Sequence, residues 1–173
     1  SKAHALGLRV LLLQHPDKVT PHQLELAGQL HLVDFTDWNA VETLLDGLTV
    51  EVAAAVSLGE AGLECASRIT DRLGLPGSGH AVIRLTRDKL AMREHLAAVD
   101  PHAVPAARLA EREDLTRFAE RHGYPFIVKP VSGRASLHVH VVESRAELAG
   151  AVAEVHGKTN DVVLIEKYLS GRE

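Results

Sequence analysis

Along the first half of the chain, short apolar runs alternate with amphipathic stretches. Residues 8–14 form an apolar run of strand length. Thr20-Pro21-His22-Gln23 follows as a helix start: Thr20 can cap, proline suits the first turn, and Gln23 can return the capping hydrogen bond. Residues 31–35 read as a second strand, 37–45 as a helix and 50–58 as a third, mostly apolar strand. Residues 59–73 then predict a helix with Leu63, Ala66, Ile69, Thr70 and Leu73 on one face, stopped by Gly74. Strands alternating with helices predict an α/β fold with a Rossmann-like parallel sheet covered on both sides.

Leu75-Pro76-Gly77-Ser78-Gly79-His80 breaks the pattern and predicts a boundary, giving one domain over residues 1–78 and another over 79–173. Beyond it, residues 86–96 read as a helix, 104–109 as a strand, 113–122 as a helix ended by Gly123, and 126–128 as a buried strand running into Lys129-Pro130. Residues 137–142 alternate, with Val139 and Val141 on one face and His138 and His140 on the other. Ser144 and Glu147 have the spacing of a capping box for a helix reaching His156, and residues 161–165 close the pattern as a strand.

Composition narrows the classes. Apolar residues make up 46% of the 173, enough for a packed core. Nineteen basic against 23 acidic residues leave a net charge of −4, which gives no reason to expect nucleic acid or an anionic membrane surface as partner. No apolar run approaches the roughly 18 residues needed to span a bilayer, and no signal region is visible at the start of the sequence. A single cysteine, Cys65, excludes an internal disulfide. A cytoplasmic protein is expected.

Four segments carry candidate chemistry: Arg87-Asp88-Lys89-Leu90-Ala91-Met92-Arg93, Gly123 to Pro130, Gly133-Arg134-Ala135-Ser136-Leu137-His138-Val139, and Glu166-Lys167-Tyr168-Leu169-Ser170-Gly171-Arg172-Glu173. Lys129 stands at the end of an apolar strand, where an ammonium can reach into a cleft and suits phosphate oxygens. The small-residue loop from Gly133 can expose backbone N–H groups to phosphates, with Ser136 adding a hydroxyl. His138 and His140 lack a third partner for a metal site. Cys65 reads as packing.

In this order the four segments resemble the ATP-grasp superfamily, which includes biotin carboxylase, D-alanine–D-alanine ligase and L-amino-acid ligases. The resemblance is strong over residues 75–173. Before that it rests on the strand–helix alternation and on Ser57-Leu58-Gly59-Glu60. It implies a Rossmann-like domain followed by the first, incomplete ATP-grasp lobe. It implies that Lys129, Lys89, Gly133 and Ser136 hold the ATP phosphates. Glu166 and the Lys167 carbonyl would accept from the adenine amine, the Leu169 N–H would donate to the ring, and the Glu173 carboxylate would take the ribose hydroxyls. The family's loop has a second glycine where this chain has His138. Where that position takes a positive φ, histidine is the poorer residue.

The implied activity is ATP-dependent ligation of a carboxylate to an amine through an acyl phosphate. An amino acid or similar small carboxylate would be the substrate. Magnesium would be held by a second lobe that has no counterpart in these residues, so the sequence reads as a fragment, a split enzyme awaiting a partner chain, or a remnant. A non-catalytic nucleotide-binding module and a biotin carboxylase-type carboxylation are the alternatives.

Overall fold

The computed structural model describes residues 2–132, 138–157 and 160–171, and the chain divides into two compact units, residues 1–83 and 84–173. The first unit contains α1 (Lys2–Ala5), β1 (Leu11–Gln14), α2 (Pro21–Leu26), β2 (Gln29–Leu32), α3 (Trp38–Asp46) and α4 (Glu60–Leu73). β1 and β2 are parallel, with Leu11 opposite Gln29 and Gln14 opposite Leu32. Thr20 and Gln23 form the expected reciprocal capping box at α2. Asp37 caps α3 by accepting from the Asn39 and Ala40 N–H groups. Gly74 ends α4 at φ 62, in the left-handed region that only glycine enters cheaply. Val41, Leu45, Cys65 and Ile69 form the buried core of this unit, with Leu13, Phe35, Trp38 and Leu73 packed around it. Cys65 is packing, and burial pushes its thiol pKa up against the opposing pull of Arg68.

One expected strand is absent. Residues 50–58 pair with no neighbour among the described residues, and Val56 and Leu58 are exposed. The Ser57 hydroxyl donates to the Gly59 carbonyl at 2.7 Å and accepts from the Gly59 N–H, a local turn that competes with a sheet ladder. The second strand also starts earlier than expected, at Gln29, because its four residues are set by the register with β1.

α5 (His80–Arg87) leads into the second unit, which holds α6 (Lys89–Val99), β3 (Ala106–Leu109), α7 (Arg112–His122), β4 (Phe126–Pro130), β5 (His140–Val142), α8 (Leu148–His156) and β6 (Val163–Lys167). The four strands form an antiparallel sheet in the order β3-β6-β4-β5. Residues alternate between its faces. Leu109, Phe126, Val128, Val142, Val163 and Ile165 point to one face and pack with Leu115, Phe118, Leu148, Ala151 and Val155 from α7 and α8. The registers Ile127↔Glu166, Lys129↔Leu164 and Arg108↔Leu164 place Arg108, Ile127, Lys129, Leu164 and Glu166 together on the other face.

Two expected elements are built differently. The single helix expected over 86–96 is two helices parted at Asp88, whose extended backbone and side chain cap α6 through the Ala91 N–H at 2.9 Å. The Ser144 box does not form in the expected way. The Glu147 carboxylate instead accepts from the Ser144 hydroxyl and the Glu143 N–H, and a short 3-10 turn over Arg145–Glu147 precedes α8.

At the start of α7, Asp114 accepts from the Ala110 and Glu111 N–H groups, both at 2.8 Å, and from Arg117. The Glu111 backbone bond, the Arg117 bond and the Ala110 bond lower its carboxyl pKa from 3.8 to about 2. A depressed native pKa means that the stabilisation is complete above the unfolded value. It is lost as pH falls from about 3.8 through about 2. The expected result is a carbon-13 titration of the Asp114 carboxyl with its midpoint near 2; a midpoint near 3.8 would remove this helix-start assignment.

Candidate nucleotide site

The face of the second sheet turned away from its apolar core collects charge. Lys129 and Glu166 lie diagonally across the β4–β6 ladder, within reach of long side chains. The Lys129 ammonium donates to Glu166 Oε1 at 3.0 Å. The Arg93 guanidinium, projecting from α6, donates through Nε to Glu166 Oε2 at 2.8 Å. Glu166 is only 6% exposed. Burial alone would raise its carboxyl pKa, but the bonds and charges of Arg93 and Lys129 outweigh it and hold the group below its ordinary value. The trio carries two positive charges and one negative, so the sheet face keeps a net positive charge.

Lys89 joins this face because Asp88 starts a new helix immediately before it. Its ammonium donates to the Val131 carbonyl at 3.0 Å, two residues beyond Lys129. A lysine in the first turn of a helix opposes the helix dipole, so its position there is a cost to the fold. Val131 extends the ladder by donating to the Val162 carbonyl at 2.8 Å. Ser132 is tied down next: its N–H donates at 2.7 Å and its hydroxyl at 2.5 Å to Asp161 Oδ2. Burial opposes ionisation of Asp161, but the Ser132 bonds, the Val162 N–H and nearby Lys89 leave its pKa lowered. The start of the loop after β4 is thus fixed between Lys89 and Asp161.

Gly133, Ser136 and Glu173 lie outside the described residues. The loop's other end is described: His138 has φ 59, the one non-glycine positive φ among the described residues. This is the condition under which the histidine is disfavoured relative to glycine, at roughly 1–2 kcal/mol. If the loop takes this conformation on closing over phosphates, His138→Gly is expected to tighten ATP by roughly threefold to tenfold while leaving adenosine unchanged, as relief of about 1 kcal/mol of strain on binding would do. Calorimetric titration of both ligands checks this, and an unchanged ATP affinity would count against the loop's role. His140, the other histidine of the pair, bonds Glu154 of α8 at 2.9 Å.

The remaining predicted contacts sit at the end of β6. Glu166 and Lys167 are strand residues, whereas the sequence places them after the strand. Lys167, paired with Phe126, lies on the sheet face opposite Glu166, and its side chain donates to the His122 carbonyl at 2.8 Å, with Gly123 and Tyr124 carbonyls at 3.4 Å. It satisfies the end of α7, which leaves its backbone as the part that could face a base. Leu169 lies beyond the strand and is 65% exposed. Arg93 is the one charged member of the group that sequence reasoning did not assign. Its spacing of four from Lys89 on one helix face was the available signal.

Comparison with known proteins now bears on this geometry. A family model described as the D-ala D-ala ligase C-terminus matches residues 69–173, and one described as the ATP-grasp N-terminal domain matches residues 1–77. The chain is 32% identical over 107 residues to a D-alanine–D-alanine ligase of Geobacter sulfurreducens, covering 61% of this chain and 34% of that protein. It is 31% identical over 159 residues to the D-alanine–D-alanine ligase of an Anaeromyxobacter species, covering 86% of this chain and 50% of that protein. The chain therefore spans between a third and a half of these relatives' length. Among solved structures, phosphoribosylglycinamide synthetase from Anaerococcus prevotii superposes with a TM-score of 0.75 at 20% identity, over 98% of this chain and 42% of that one. L-amino acid ligase from Bacillus licheniformis gives 0.69 at 24% identity, over 98% and 40%. At these identities the structural likeness establishes the fold alone.

Proposed function

The chain belongs to the ATP-grasp superfamily, and from that premise we propose that it forms the nucleotide-binding part of an ATP-dependent carboxylate–amine ligase. The substrate class is an amino acid or similar small carboxylate, activated as an acyl phosphate. The observation that carries this reading is the juxtaposition of Lys129, Lys89 and Arg93 around one sheet face and the start of one loop.

In this reading Lys129 and Lys89 bind the phosphate oxygens and neutralise charge that builds up as the terminal phosphoryl group leaves. The ammonium groups are held by a carboxylate and a carbonyl, so they are aimed before ATP arrives. Gly133 and Ser136 close the loop over the phosphates. Glu166 contributes remaining lone pairs, the Lys167 carbonyl accepts from the adenine amine, the Leu169 N–H donates to the ring, and Glu173 binds the ribose diol. Magnesium is expected with ATP at the family level. Among the described residues no group of three or more His, Cys, Asp or Glu side chains converges on one point. No described helix is long and apolar enough to cross a membrane. The cytoplasm, which supplies ATP, is the proposed compartment.

An acceptor-then-donor edge at residues 166–169 fits adenine and opposes guanine, whose exocyclic oxygen would face the same acceptors. Titration should therefore show ATP binding more tightly than GTP by at least about tenfold, the scale of one mismatched hydrogen bond with its desolvation. Equal affinities in folded protein would remove the adenine assignment.

A further inference from the structure

We propose that Arg93 is a positioning residue that frees Lys129 for phosphate by holding Glu166 in its place. The inference rests on the nucleotide-site reading above and adds a residue to which that reading gives no task. Each oxygen of the Glu166 carboxylate is taken by a different cation: Oε1 by Lys129 at 3.0 Å and Oε2 by Arg93 at 2.8 Å. Glu166 is 6% exposed, so it cannot be left without a cation cheaply. If Lys129 were its sole partner, moving the ammonium toward a phosphate would strand a buried carboxylate. With Arg93 engaged on the far oxygen, Lys129 can shift while Glu166 stays neutralised. Arginine suits the task. Its guanidinium stays charged at any working pH and presents donors in a fixed plane. It comes from the first turns of α6, one helical turn after Lys89, so the same helix supplies one phosphate ligand and the counter-charge for the other.

The consequence is a pair of effects of opposite sign on one quantity, the ratio of adenosine to ATP dissociation constants, which isolates the phosphate contribution. R93Q leaves Glu166 to sequester Lys129, so the ratio should fall by about tenfold, the scale of losing one charged hydrogen bond. R93K keeps a cation there and should restore most of the ratio. E166Q removes the charge that competes with phosphate for Lys129, so the ratio should rise. A residue that merely supports the fold would change both ligands together and could not produce opposite signs. All variants are titrated calorimetrically as the full chain, with K129A alongside. If R93Q lowers the ratio and E166Q raises it, the proposal stands. Should R93Q fail to fold, the E166Q arm decides alone, and a ratio that stays level or falls overturns the proposal. If K129A lowers the ratio while R93Q does not, the site reading survives and the role of Arg93 is wrong. If K129A itself leaves the ratio unchanged, the site reading fails and the Arg93 role fails with it.

Discussion

Lys129→Ala is expected to weaken ATP by about 1.5–3 kcal/mol, the scale of a lost charged hydrogen bond, while adenosine binding barely changes. The contrast is the informative part. Lys129 lies on the charged face of β4, is 17% exposed and reaches Glu166 at 3.0 Å. In the proposed reading its ammonium meets a phosphate and has no role toward a base. The alanine variant also leaves Glu166 with Arg93 alone, so the fold keeps one cation on the buried carboxylate. A calorimetric comparison reads both ligands in the same sample. Equal losses for ATP and adenosine would mean that the lysine supports the sheet and not the phosphates.

Phe126→Ala is expected to cost about 3–5 kcal/mol of stability, the range for emptying an aromatic core site. Phe126 is fully buried on the opposite face of the same strand. Its ring meets Phe118 edge-on at 5.5 Å and stacks on Tyr124 at 5.5 Å, in a core fed by α7 and α8. Since residues 126 and 129 point to opposite faces, the substitution removes the floor beneath the site and touches none of its charges. Chemical denaturation of the full chain measures the loss. A change under about 1 kcal/mol would mean that the packing is loose enough to collapse around the gap.

Much of this arrangement was legible from local chemistry. The apolar run from Phe126 to Val128 reads as a buried strand with Lys129 at its end, and the Thr20 capping box and the glycines Gly74 and Gly123 mark helix boundaries. What was not legible depends on partners distant in sequence or on competition between local options. Arg93 meets Glu166 across 73 positions, and no local pattern announces that pairing. Residues 50–58 have strand composition, but strand formation needs a neighbour, and the Ser57 hydroxyl offers the backbone a turn instead. Asp88 favours capping over continuing a helix, and that one preference converts Lys89 from a mid-helix residue into the first residue of α6. The sequence predicts that the last strand ends at Ile165, with Glu166 to Leu169 following it as a hinge. Glu166 continues the strand in burial because two cations neutralise it.

The most direct test is to add ATP to isotopically labelled chain and follow the backbone amide resonances. Perturbations are expected at residues 88–93 and 127–132, at His138 and across 164–169, with adenosine reproducing only the last group. Perturbations centred instead on the pocket lined by Leu45, Val50, Glu51, Leu73 and Leu75 in the first unit, or none at saturating ATP, would contradict this assignment.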